Sequence, residues 1–173
     1  MSEAESDWEK VREEFVTHWG VLGTQWGINR TMAQIHALLM TAPAAISTDE
    51  VMEKLTISRG NAHSNLKELV SWGLIRIVLK KGDRKEYFEA EKDVWQIFLI
   101  VCKERRKREV EPALQVLKDC AEKTKKERKG PGQEFHQQMK ELEEFVNFGM
   151  KVTDVVSSMK HASALQWAMR LLG

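Results

Sequence analysis

The sequence contains none of the short signatures that organise familiar catalytic centres. Its histidines, His18, His36, His63, His136 and His161, form no H-E-x-x-H. There is no G-x-S-x-G and no nucleotide-binding glycine pattern either, so an enzyme is not expected and no catalytic residue is assigned. Cysteine is scarce. Cys102 and Cys120 stand 18 residues apart, which on one continuous helix is roughly 27 Å, too far to pair. Without a C-x-x-C there is no thiol set for a metal. Neither metal nor other cofactor is expected, and both thiols read as buried, with a redox sensor joined between subunits as the alternative. No apolar run reaches the ~18 residues of a membrane span, and the acidic start Ser2-Glu3-Ala4-Glu5 does not resemble a signal peptide. A cytoplasmic protein with no membrane partner is expected.

Net charge is also small, at +1 over 173 residues. Its distribution is uneven, however. Residues 1–55 carry 4 basic and 9 acidic side chains, residues 56–85 carry 7 and 2, and residues 103–129 carry 11 and 6. A neutral total made of segregated blocks is the pattern of an electrostatic footprint.

The stretch that organises the chain lies in the first basic block. Ser47-Thr48-Asp49-Glu50 reads S-x-x-E, a capping box, and Val51, Met52 and Leu55 give the short helix behind it one apolar face. Thr56-Ile57-Ser58 breaks the pattern, and Ser58 can cap a second helix. There Ala62, Leu66, Leu69 and Val70 form a buried stripe. Gly60, Asn61, Ser64 and Glu68 lie opposite, with His63, Asn65 and Lys67 on the flanks. Gly73 suits a left-handed cap. A face begun by Gly, Asn and Ser, rather than by Glu/Lys pairs, suits close approach to a phosphate backbone. A hairpin follows: Leu74 to Leu79, a Gly82-Asp83 turn, and Glu86 to Glu89. Lys80, Lys81, Arg84 and Lys85 crowd its tip, which an anionic duplex would relieve; a solvated turn is the plainer reading. Asp83 is expected to hold Arg84 or a turn amide. Ala44-Ala45-Ile46 would add a short edge strand.

Before this segment, Ser6-Asp7-Trp8-Glu9 reads as another capping box. Trp8, Val11, Phe15, Trp19 and Leu22 make an aromatic stripe on a first helix, and Gly23 to Asn29 reads as a loop. A second apolar helix spans Arg30 to Thr41. After it, Asp93 can cap a long helix carrying the basic run Lys103 to Arg108, a second DNA contact or, more simply, a solvated face. Pro112 predicts a kink or break near 108–112. Lys129-Gly130-Pro131-Gly132 is a breaker. Beyond it Phe135, Met139, Leu142, Val146, Gly149, Val152, Val156 and Met159 alternate spacings of three and four, a seam for partner helices, and Leu165, Ala168, Met169 and Leu172 follow. Faces of this size exceed what a small domain can cover. A homodimer built through Trp8, Phe15, Phe135, Leu142, Val146 and Val156 is expected.

The fold class expected is therefore mainly α with a small β-wing: a winged helix-turn-helix with N- and C-terminal dimerisation helices. The organisation is a dimerisation helix in 1–28, the DNA-binding domain in 29–92, and a connecting helix with a helical dimerisation region in 93–173. Ser58, Arg59, Gly60, Asn61, His63, Ser64, Lys67, Lys81, Arg84 and Lys85 are the candidate contacts to double-stranded DNA. A winged-helix module that binds protein without sequence-specific DNA binding is the rival reading.

With these residues in place, the chain resembles the MarR superfamily, in particular its GbsR-type branch of transcriptional regulators. The resemblance rests on Gly27-Ile28-Asn29-Arg30, Ser58 to Leu66, Trp72-Gly73-Leu74-Ile75, Gly82 to Phe88 and Glu104 to Pro112, and spans roughly residues 8–120. The branch usually has Pro where this chain has Asn29. The resemblance implies a homodimeric regulator, in repressor form, on a pseudo-palindromic operator, with each recognition helix in a major groove and each wing near a minor groove. Some members of the branch answer choline-like osmoprotectants, which makes a small-molecule effector a candidate partner. Trp19, Trp26, Trp72 and Trp95 are the residues that would build an aromatic cage for it, although tryptophans at helical spacing are more often core.

Overall fold

A computed structural model describes residues 3–158 of the chain. The chain divides between Ile100 and Val101 into two units.

The first unit is built around α2 (Arg30–Met40), whose residues Met32, Ala33 and Ile35 to Leu39 are all buried. Asn29 caps it, its side chain accepting from Met32 N, which satisfies one of the free amides of the first turn. Around α2 gather α3 (Thr48–Leu55) and α4 (Arg59–Trp72). Ile35, Leu39, Val51, Leu66 and Leu69 are the large side chains taken wholly out of water, each contributing roughly 1.5–3 kcal/mol. The expected stripe of α4 is the buried one, with Val70 at its edge.

The turn between α3 and α4 ends the first helix at Thr56, which takes the left-handed conformation at φ 52. That is costly for a β-branched residue, and it turns the chain sharply enough for Ser58 to cap α4 by accepting from Asn61 N. Gly73, at φ 84, closes α4, with Leu74 N bonding to Leu69 O. The expected capping box is present: Glu50 N reaches Ser47 Oγ, and Ser47 N reaches the Glu50 carboxylate at 2.7 Å.

The wing is a three-stranded antiparallel sheet in the order β1-β3-β2, formed by β1 (Ile46–Ser47), β2 (Ile75–Leu79) and β3 (Glu86–Ala90). Ile46 pairs with Phe88, and Ile77 pairs with Phe88 from the other side. The edge strand expected after Pro43 is therefore real, though it begins only at Ile46. With its helix-turn-helix and basic hairpin, the unit is a winged helix-turn-helix.

Helix α1 (Glu3–Gln25) departs from the expected reading. It starts before Ser6, so Ser6-x-x-Glu9 lies inside the helix and not at its start. It also runs through Gly23 rather than ending there. Nor does the aromatic stripe pack against the unit. The buried seam is Val16, Gly20 and Gly23: a Cβ on Gly20 would lie 2.5 Å from Gln34 Cγ, and one on Gly23 2.6 Å from Ala33 Cβ. Two glycines let α1 lie against α2 at backbone range. Arg12 anchors the same face, donating to Thr41 Oγ1 and Leu38 O at the end of α2. Trp8, Val11, Trp19 and Leu22 stay exposed and Phe15 half-buried. A Schellman motif at Gly27, with Ile28 N bonded to Gly23 O and Gly27 N to Thr24 O, ends the helix.

Asp93 caps α5 (Val94–Arg105) through Trp95 N and Gln96 N, as expected. The consequence expected of Pro112 appears as a π-helical turn at Arg106–Val110, which leads into α6 (Glu111–Thr124). There Glu111 N bonds to Arg106 O, five residues back. The wider turn absorbs the donor that Pro112 lacks, so the chain continues helically instead of breaking. In the second unit α6 packs with α7 (Gly130–Ser158), which starts within the glycine-proline breaker, Pro131 sitting in its first turn. Leu114 and Ala121 are buried, while Phe135, Leu142, Phe145 and Phe148 are exposed and Val146 and Val156 half-buried. Cys102 and Cys120 are free and half-buried, not fully buried as expected. Met159 and the expected final turns at Leu165 to Leu172 lie outside the described residues.

His36 is a polar residue buried in the first unit, as are Ser47 and Asn65. It is 6% exposed, and its Nε2 meets no hydrogen-bond partner among the described residues. Burial lowers its pKa from 6.5 to about 4. The folded state therefore holds the ring neutral in a range where the unfolded chain is protonated. Stability from this source is complete above pH 6.5 and drains away as the pH falls to 4, by roughly 3 kcal/mol in all. In urea titrations His36→Met should lose much less stability than the wild type between neutral pH and pH 4. Parallel losses would show that the ring is not held neutral.

Candidate nucleic-acid interface

The candidate residues fall on two adjoining elements, the start of α4 and the tip of the wing. Ser58, Arg59, Gly60, Asn61, His63, Ser64 and Lys67 are all exposed, as are Lys81, Arg84 and Lys85. Local rules place the first group, because the stripe that buries Ala62, Leu66 and Leu69 turns the opposite face to solvent. The turn chemistry places the second. Asp83 N bonds to Lys80 O, and Gly82 supplies the positive φ the turn needs, at 83°.

The wing tip is held by its own side chains. Asp83 accepts from Lys85 N at 2.9 Å and from the Tyr87 hydroxyl at 2.8 Å, which lowers the Asp83 pKa, first through the Lys85 amide, and raises that of Tyr87. The expected turn-amide role of Asp83 is thus met by Lys85 N. Lys80 Nζ lies 3.5 Å from the centre of the Tyr87 ring. One cation of the tip is therefore spent on an aromatic face, leaving Lys81 and Arg84 pointing outward.

Two features of this surface were not read from the sequence. Asn65, placed on a flank of the helix, is buried. Its Nδ2 donates to Asn61 O at 2.8 Å and to Asn61 Oδ1 at 2.7 Å. The amide at the centre of the polar face is thereby set in one orientation, with its Nδ2 donors left to the outside. The (i, i+4) spacing was the available signal. The second feature is Asp49. Its Oδ1 lies 2.8 Å from Arg59 Nη2 and its Oδ2 3.0 Å from Lys85 Nζ, so one carboxylate joins α4 to the wing. Lys85 comes first among the causes that lower the Asp49 pKa, and Asp49 in turn raises that of Lys85. A cleft of about 300 Å³ opens here, lined by Asp49, Arg59, His63, Lys85 and Glu86 among others.

The other expectations fare differently. In the basic run, Arg105 faces Glu109, Arg108 faces Glu104, and Arg106 pairs with Glu111 and Asp154. Much of that charge is answered within its own unit, in keeping with a solvated helix face. Among the four tryptophans, Trp19 stacks on Phe15 at 5.4 Å and Trp95 on Phe98 at 5.4 Å. Trp26 is 64% exposed in the turn after α1, and Trp72 is half-buried at the end of α4. The second described cleft, about 440 Å³ between α6 and α7, is lined by Lys118, His136, Lys140 and Glu143 and holds no tryptophan. Among the described residues no group of His, Cys, Asp and Glu could hold a metal ion, and no helix is long and apolar enough to cross a membrane.

The class this geometry defines is a winged helix-turn-helix protein with helical extensions. A solved structure described as the crystal structure of a transcriptional regulator has the same fold: TM-score 0.67, 20% identity, 84% of this chain and 95% of that one covered. No protein-family model and no curated protein matches the chain.

Gly60 separates a structural from a functional reading of this surface. It sits in the first turn of α4, and a Cβ there would meet nothing within 4 Å. Gly60→Ala should therefore stabilise the fold slightly, by up to about 0.5 kcal/mol, while weakening binding to a duplex whose phosphate approaches that backbone. Thermal melts and fluorescence anisotropy measure the two effects. Unchanged affinity would remove Gly60 from the interface.

Proposed function

We propose that this protein is a DNA-binding transcriptional regulator of the GbsR-type branch of the MarR superfamily, acting as a homodimer, in repressor form, on a pseudo-palindromic operator. The observation that carries this reading is the pairing of an exposed polar helix face, Ser58 to Lys67, with the braced cationic tip of the adjoining wing. Asn61, His63 and Ser64 would meet base edges in the major groove. Arg59, Lys67, Lys81 and Lys85 would meet phosphates, and Arg84 would reach the minor groove. A structural relative described as a transcriptional regulator supports the same role. The domain roles proposed are dimerisation by 1–28 and 93–173 and DNA recognition by 29–92. The apolar side chains left uncovered on α1 and α7, Trp8 and Leu142 among them, support the dimer. Its two recognition helices would lie about one turn of duplex apart, roughly 34 Å. An effector held by Trp19, Trp26, Trp72 and Trp95 would act by changing that separation.

The test is a set of binding isotherms on duplexes selected from a random pool, at several salt concentrations. Lys67→Gln and Lys81→Gln should each weaken all duplexes alike and lower the salt slope by about one. Asn61→Ala should instead cost ~1–3 kcal/mol on the selected sequence and much less on random DNA. A protein that selects no sequence, or binds with no dependence on salt, is not this regulator.

A further inference from the structure

Among the described residues, Asp49 is the acid on the proposed DNA-binding surface that holds cations from both of its elements. Its two oxygens are divided, one to Arg59 at the start of α4 and one to Lys85 in the wing. All three side chains are exposed, with Asp49 46% accessible. The pairs therefore contribute little to folding, and the contact is poorly explained as a structural brace. The wing already has its own anchors in Asp83 and Tyr87, and α3 already has its capping box in Ser47 and Glu50. Removing Asp49 would leave both elements in place. What it would change is the charge offered to a polyanion.

We propose that Asp49 is an internal counter-ion that competes with DNA phosphate for Arg59 and Lys85, and that it sets how well the protein discriminates between its operator and bulk DNA. The inference rests on the DNA-binding reading of this same surface. A phosphate approaching the cleft meets two cations already held by a carboxylate, and it must displace that carboxylate and bear its repulsion. On the operator, base contacts from α4 offset this cost. On random sequence nothing offsets it, so non-specific binding is suppressed more than specific binding. The side chain stays ionised at neutral pH, because hydrogen bonding from Lys85, with its charge and that of Arg59, favours the carboxylate.

The experiment compares wild type, Asp49→Asn, Asp49→Ser and Glu53→Gln on random-sequence duplex and on a selected site. Glu53 is an exposed acid of the same helix that takes part in none of these ion pairs. Both Asp49 variants should bind random duplex several-fold more tightly than wild type. Their salt slope should steepen by about one released ion, so the gain grows roughly 3.5-fold between about 200 and about 50 mM salt. The ratio of selected to random affinity should fall. Glu53→Gln should give less than half of the Asp49 gain. If wild type binds DNA but the Asp49 variants bind no tighter, or if Glu53→Gln does as much, the counter-ion role is wrong and the DNA-binding reading stands. If neither wild type nor the Asp49 variants bind any duplex, the regulator reading fails and this inference fails with it.

Discussion

Everything that positions the candidate interface depends on the burial of α2. Its side chains from Met32 to Leu39 form the floor on which α3, α4 and the sheet rest, and no polar bond in the unit supplies a comparable driving force. Because Ala62, Leu66 and Leu69 are committed to that floor, the rotation of α4 about its axis is set, and with it the outward face of Asn61 and Ser64. The polar face is polar on the outside because the apolar one has no freedom to turn. His36 marks the cost of this arrangement, since a ring with an unmet nitrogen is held neutral inside the same layer.

Ser47 connects this core to the wing. It pairs with Tyr87 as the last residue of β1, and its hydroxyl and amide form the capping box of α3. Sheet and helix-turn-helix therefore share a residue, and a displacement of one carries the other. Two residues later Asp49 reaches both Arg59 and Lys85. The sheet thus meets the helix-turn-helix through β1, which runs directly into α3, and the wing meets α4 through exposed ion pairs that water and salt can loosen.

The helical extensions are governed by a different economy. α1 approaches α2 through Gly20 and Gly23, whose lack of side chains brings the two backbones together, while its tryptophans face outward. α7 likewise leaves Leu142, Phe145 and Phe148 in water. An amphipathic helix that buries its small residues and exposes its large ones has its greater apolar surface still to cover. In the connecting segment the π-helical turn at Arg106–Val110 keeps the chain helical past Pro112 and sets Arg106 toward Asp154.

What the sequence by itself determined were features whose cause lies within a few residues. These are the capping box at Ser47 and Glu50, the cap at Ser58, the glycine stop at Gly73, the turn at Gly82, and the period that divides α4 into a buried and an exposed face. Each is local chemistry, and each stands where its residues say. The same logic failed at Ser6-x-x-Glu9, because a helix already under way has no free amides for a cap to satisfy. Only the tertiary structure decided which face of α1 is buried, since steric closeness between glycines and a neighbouring helix carries no hydrophobic signal. It alone brought Asp49 to Arg59, ten residues on, and to Lys85, 36 residues on. Charges so far apart in the chain attract only once the apolar core has closed the distance between them, so the ion pairs that join the two halves of this surface follow from burial and could not be read before it.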